Sequence, residues 1–490
     1  MASASLSSID FANVDFADIQ GIVRFGYKYM TEASYVLLEI QDAGAARVWL
    51  GSAPISSARV QKPAPTTALQ VAFTAAGLQA LGVPAAVVSG FSNEFVSGIA
   101  GEDSRSRRLG DVGANAPPSW RWGSPARTPH LVAMFFAQPG GLGPWMGTLC
   151  DRTWGSAFRV IDILATTDLH GKEPFGFTDG ISEPELDWEF RRPFVADQLT
   201  YTNTIALGEC LLGFKNEYGK YTDRPLVEAG ELPVAEDDAK KRDLGRNGTY
   251  LVMRHLEQDV RGFWQFLDRA AGSIASERDK LAETMVGRTL EGDPLVSAKS
   301  KNEFTFDEDE NGLRCPFGAH VRRANPRTAD YPAGVHAGLD KLLNQLALQP
   351  RKFRDDLVAS TRFHRILRRG REYGPGLSRE DALLPAPPGD PERGLHFICL
   401  NGNISRQFEF VQNAWLMNSK FNGMSGESDP LLGNREPIVG GAPTDAFGIP
   451  RETGLCSKVS GLPQFVKVHG GAYFFLPGLR ALRYFVKAGA

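Results

Sequence analysis

Strong charge of either sign is missing from this 490-residue chain: 57 acidic against 54 basic side chains leave a formal net charge of -3. Without a strong basic field, nucleic acid is excluded as its main partner. Long apolar runs are missing as well. Every hydrophobic stretch is broken by charge, Gly or Pro within about a dozen residues, too soon to span a bilayer. The N-terminus, MASASLSSIDFANVDF, has no cationic region, no apolar core segment and no twin-Arg pair. As written, the chain reads as cytoplasmic, and a mature form trimmed from a secreted precursor would look the same. Cysteine is scarce. Cys150, Cys210, Cys315, Cys399 and Cys456 are odd in number, far apart and free of any CxxC spacing. That argues against a disulfide framework and against a cysteine-ligated zinc or iron–sulfur site.

What is present is ordinary globular material, 42% hydrophobic with 30 Phe, and turn-rich, with 52 Gly and 31 Pro. The length favours two domains, or one doubled. Residues 34–40, 131–136, 249–256 and 394–400 read as strands. A helix follows position 259, with Val260, Phe263, Trp264 and Leu267 at helical spacing, and residues 407–415 read as another. Each half mixes strands with helices without strict alternation, which predicts an α+β fold with antiparallel sheets. The charged stretch 235–247 is the natural join, giving units of 1–235 and 236–490. No short-period repeat is visible.

Three local clusters could carry chemistry. In Phe175-Gly-Phe-Thr-Asp179-Gly180-Ile181-Ser-Glu183-Pro184 an Asp sits before a glycine among apolar neighbours. Partial desolvation would raise its pKa and suit it to proton transfer, while the plainer reading is an Asp-Gly turn. In Cys315-Pro-Phe-Gly-Ala-His320-Val-Arg322-Arg323-Ala-Asn-Pro-Arg327, a neutral imidazole in an apolar setting could ligate haem iron, with arginines for the propionates. A core histidine beside a solvated basic face is the alternative. In His364-Arg-Ile-Leu-Arg368-Arg369-Gly370-Arg-Glu-Tyr373-Gly374, an inward Arg368 could stabilise a developing anion, or the run could be a basic surface strand.

Together and in this order the three segments resemble the dye-decolorizing peroxidases, a family of haem enzymes, over nearly the whole chain. GFTDGISEP looks like the family's GxxDG motif, CPFGAHVRRANPR like its proximal-histidine segment and HRILRRGREYG like its distal-arginine segment; MVGR (285–288) is a weaker echo. The resemblance implies two ferredoxin-like domains, with haem b, one per chain, bound mainly in the second. It implies hydrogen peroxide and aromatic reducing substrates, including dyes and phenols. These are oxidised in one-electron steps through a ferryl state. The acidic optimum expected with them follows from Asp179 as the carboxylate acid-base group. Carried over by position, His320 becomes the iron ligand, Asp179 the distal acid-base group and Arg368 the distal arginine. Gly370 stands where members with RDN have an auxiliary Asn. Asp429 best matches the carboxylate that pairs with the proximal histidine, and Glu427 competes. Leu395 and Phe397, two apart on a strand, are expected cavity walls, and Arg327 a propionate contact. Tyr373 is the expected electron relay to bulky dyes, while Trp264 and Trp415 are expected core. A haem-carrying or iron-releasing protein would need His320 but not Asp179, and a non-haem domain would need neither.

Overall fold

The runs that read as strands are apolar along most of their length because the sheet they form is covered on both faces. The computed structural model describes residues 14–191, 202–228, 230–327, 361–436 and 440–487. Strand β1 (Glu32–Ile40) sends Val36, Leu38 and Ile40 into one core and Tyr35 and Leu37 into the other, as the two-residue period of a strand requires. Helix α1 (Ala43–Ser52) follows. Asp42 caps it, its carboxylate accepting the Ala45 N–H at 2.7 Å, which satisfies one of the donors a helix start leaves open.

The first half continues with β2 (Thr67–Phe73), β3 (Leu131–Ala137) and β4 (Phe158–Ala165). The second half brings β5 (Thr249–Gln258), α2 (Val260–Ala270), α3 (Ala275–Val286) and the short α4 (His320–Ala324). Then come β6 (Leu367–Arg368), β7 (Arg371–Tyr373), β8 (Gly394–Asn401), β9 (Val466–Leu476) and α5 (Leu479–Lys487). These strands make one nine-stranded sheet in the order β6-β8-β5-β9-β2-β3-β1-β4, with β7 also on β8. Its pairings are antiparallel.

Within that order lies a repeat invisible in the sequence. Numbered inside its own half, each set of four runs fourth, first, third, second: β4-β1-β3-β2, and β9-β5-β8 followed by the β6/β7 segment. That is the ferredoxin-like arrangement, built twice. The halves meet edge to edge where Phe475 of β9 pairs with Phe73 of β2, so the two units share one sheet.

One local expectation needs correction. Residues 407–415 do coil, but as two wide π-type segments, Ser405–Glu409 and Val411–Leu416, where an ordinary helix was expected. The polar stretch 235–247 is tied down by Arg224, which pairs with Asp237 and Asp243, and by the fully buried Leu244. Among the described residues, no helix is long and apolar enough to cross a membrane.

Candidate active site

The second half of the sheet backs a cavity. Along β5, Arg254, Leu256 and Gln258 face it, and along β8, Leu395 and Phe397 do, each set sharing one face by the strand period. Val286, Val321, Phe408, Val411, Leu416, Leu431 and Leu432 extend an apolar lining. His320, Asp179 and Arg368 all reach it. Residues 189 and 109 positions apart in the chain are thus brought together, since Asp179 meets Arg368 and His320 meets Asp429.

One wall carries His320, the first residue of α4. Its Nδ1–H donates to Asp429 Oδ2 at 3.0 Å. Asp429 is 0% exposed, and its other oxygen accepts the N–H groups of Leu431 and Leu432 at 2.9 and 2.8 Å. Burial disfavours the charged imidazole, but Asp429 outweighs it and raises the His320 pKa; burial likewise resists ionisation of Asp429, and His320 overcomes it, so that carboxyl titrates below its usual range. Glu427, the competing candidate, spends its carboxylate on the Gly448 N–H at 2.9 Å.

The other wall carries Asp179, in a loop that turns at Gly176 and Gly180 with φ of 102° and 70°, angles only glycine adopts without strain. Glu173 holds that loop in shape by accepting the N–H groups of Phe175 and Phe177 at 3.1 and 2.9 Å. Arg368, on β6, donates from Nη1 to Asp179 Oδ1 at 3.2 Å. Its backbone N–H and Nη2 both go to Glu183, at 2.8 and 3.0 Å. The cation is therefore shared by two carboxylates. The sequence expectation of a raised Asp179 pKa is overturned. Desolvation does push it up, but Arg368, the Gly180 N–H and Lys28 outweigh it, and the group titrates below its usual 3.8.

Gly370 has a steric reason. A Cβ there would lie 2.6 Å from the His396 carbonyl and 2.9 Å from the Ile398 nitrogen, so β8 passes too close for any side chain. Arg327 does not line the cavity. It is buried, with Nη1 donating to the carbonyls of Asn302 and Phe304, both at 3.1 Å, and its guanidinium lies over the Phe304 ring. Among the described residues, the arginines that line it beyond Arg368 are Arg254, paired with Asp111, together with Arg288 and Arg365. Sequence reasoning missed Glu173, Glu183, Arg288 and Arg365 as site residues. Glu183 stood inside the GFTDGISEP segment and Arg288 inside MVGR, so the signal was proximity to a motif. Tyr373, expected near the surface, is buried with its hydroxyl donating to Glu392 at 2.7 Å. Trp264 and Trp415 are core, as expected.

No profile of a known protein family matches the chain. Individual proteins do. The dye-decolorizing peroxidase msp1 of Mycetinis scorodonius is 28% identical over 98% of this chain and 90% of its own length. The dye-decolorizing peroxidase AauDyP1 of Auricularia auricula-judae is 27% identical over 98% and 88%. Among solved structures, an ancestral D-type dye decolorizing peroxidase superposes with a TM-score of 0.72 at 24% identity, covering 98% of this chain and all of that one. The chain is thus an oxidoreductase of the haem peroxidase type with a double ferredoxin-like fold. In sequence and in fold it is similar to dye-decolorizing peroxidases over nearly its whole length.

Proposed function

We propose that this chain is a peroxidase that holds one haem b and uses hydrogen peroxide to oxidise dyes and phenolic or other aromatic donors in one-electron steps, best at acidic pH. The observation that carries it is the opposition of His320–Asp429 and Asp179–Arg368 across one apolar cavity. The residues fit a haem. With Nδ1 given to Asp429, only Nε2 of His320 remains to offer a lone pair to iron. Leu256, Leu395, Phe397, Leu431 and Leu432 suit a porphyrin face, and Arg288 and Arg365 supply cations at the cavity edge for its carboxylates. When bound, haem supplies an iron that accepts both oxidising equivalents of peroxide and releases them one electron at a time.

The chain's own groups handle the proton. Asp179, ionised because Arg368 lowers its pKa, takes the proton from the inner oxygen of peroxide and gives it to the outer one. Arg368 stays charged between Glu183 and Asp179 and offsets negative charge on the departing oxygen. Asp429 holds the His320 ring and its proton, making Nε2 a stronger donor. On the division at 235/236, the first unit brings Asp179 and the second brings His320 and Arg368.

The test is spectroscopic. Protein loaded with haem shows a Soret band, which His320→Ala loses because the imidazole supplies the strong bond from protein to iron. Absence of the band in the unaltered protein, or its full retention in His320→Ala, overturns the assignment.

A further inference from the structure

Strand β5 alternates. Arg254, Leu256 and Gln258 face the cavity, so His255 and Glu257 lie on the opposite face of the sheet. The same alternation puts His396 of β8 on that reverse face, between Leu395 and Phe397. His469 joins them from β9, where the register shifts between Val468 and Gly470. The rings of His396 and His469 lie 4.9 and 5.7 Å from that of His255. Glu392 enters from the segment before β8.

Three of these groups, Glu257, Glu392 and His469, each offer one ligand atom, and those atoms lie within 4.8 Å of one another. A fourth group points the same way. His255 Nε2 is 3.6 Å from Glu392 Oε1, too far for a hydrogen bond. His255 is only 4% exposed, yet neither of its ring nitrogens has a hydrogen-bond partner among the described residues. A buried polar ring left unbonded is costly and calls for an explanation.

We propose that His255, Glu257, Glu392 and His469 bind one divalent transition-metal ion of the zinc type, on the face of the sheet turned away from the haem cavity. Two imidazole nitrogens and two carboxylate oxygens suit such an ion, whereas calcium and magnesium favour oxygen alone. Two carboxylates also neutralise its double charge. Tetrahedral ligands at about 2.1 Å stand about 3.4 Å apart, so Glu257, Glu392 and His469 need close by little more than an ångström, while His255 already stands 3.6 Å from Glu392.

The neighbours allow it. Arg121 now holds Glu392, donating from Nη1 to Oε1 at 3.1 Å and from Nη2 to Oε2, but its side chain is 45% exposed and free to swing into water. Tyr373 donates to Glu392 Oε1, leaving the carboxylate further lone pairs. His469 Nε2 meets Glu257 Oε2, a contact the ion would replace. His396 packs beside the site, its Nε2 donating to the Ala165 carbonyl and its ring stacked on Tyr373. The ion would tie β5, β9 and the approach to β8 together directly behind the cavity wall.

The test is calorimetric titration of chelator-treated, haem-loaded protein with zinc chloride. One ion per chain is expected. His469→Ala and Glu257→Gln should each weaken binding at least about 100-fold, the upper end of what losing even an outer partner of a metal ligand costs, with the Soret band and circular dichroism unchanged. Arg121→Gln, at a half-exposed position, should tighten binding by removing the competing cation. Absence of saturable binding, or binding that survives both ligand substitutions, overturns the proposal. So does an affinity that Arg121→Gln leaves unchanged or lowers, which would mark the cluster as an arginine-held polar network.

Discussion

The two walls of the cavity each pair an acid with a base, and they are built in opposite ways. On one, His320 meets a single carboxylate, Asp429, which is wholly buried and held by two backbone N–H groups of its own loop. On the other, Arg368 is divided between Asp179 and Glu183, and all three side chains keep a fifth to a third of their exposure. The first arrangement fixes a proton on one nitrogen and permits nothing else. The second keeps a carboxylate ionised at the edge of open space, where a small molecule can lend it a proton and take it back. A ligand must stay still and an acid-base group must be reachable, and burial separates the two tasks.

Substitution at the open wall should have the largest effect on rate. Asp179→Asn keeps the shape of the side chain but cannot carry a proton, and general acid-base groups contribute about 10²–10⁴-fold. Stopped-flow mixing of the haem-loaded variant with peroxide should show a loss of that size with the Soret band intact. A rate near that of the unaltered protein would transfer the proton step to water or Arg368.

At the closed wall the expected loss is smaller. Asp429→Asn leaves Nδ1 a hydrogen-bond partner but no negative charge, so the imidazole donates less to iron. Outer partners of metal ligands typically contribute about 10–100-fold. A reduction potential moved to more positive values, with haem retained and turnover down within that range, is the expected result. Equal potentials in the two proteins would show that the charge of Asp429 does not reach the iron.

The pH profile sharpens the same contrast. Asp179 must be ionised to accept the first proton, and Arg368 moves its titration below 3.8. The rate of reaction with peroxide should therefore hold as pH falls through the ordinary carboxylate range and drop only beneath it. Glu183→Gln removes the competitor for Arg368 and should push that limb lower still, whereas Arg368→Leu should move it upward. A limb that stays fixed in both variants would mean another group titrates.

How much of this was legible depended on whether a property was local. Strands 32–40, 131–137, 249–258 and 394–401 were readable because the sheet's two cores demand apolar residues on both faces along most of their length. His320, Asp179 and Arg368 were readable through short motifs. The doubling of the fold was not, because strand order is set by long-range pairing such as Phe475 with Phe73, which leaves no local pattern. Which arginine lines the cavity was not readable, because a cationic run says nothing about which guanidinium finds backbone carbonyls and which finds a cavity. The direction of the Asp179 shift failed for the same reason. Its apolar neighbours are in sequence, while the cation that decides the balance comes from 189 residues away.

Glu173 was invisible to that reading, and it supplies the smallest expected effect. It lines the cavity beneath the Asp179 loop, and burial, with a minor contribution from Asp179, outweighs its bonds to Gln258, Phe177 and Phe175 and raises its pKa to about 7. A carboxyl whose folded-state pKa lies above the unfolded value of 4.5 stabilises the fold fully below 4.5 and loses that contribution as pH rises through about 7. The full shift corresponds to on the order of 3 kcal/mol, reduced by whatever solvent reaches the group. Glu173→Gln keeps an acceptor for the loop N–H groups and removes the titration. Melting curves of haem-loaded protein between pH 4.5 and 7.5 should therefore slope downward by a few degrees in the unaltered chain and run flatter in the variant. Parallel curves would mean that Glu173 stays ionised across the range, and that the loop beneath the open wall is wetter than its burial suggests.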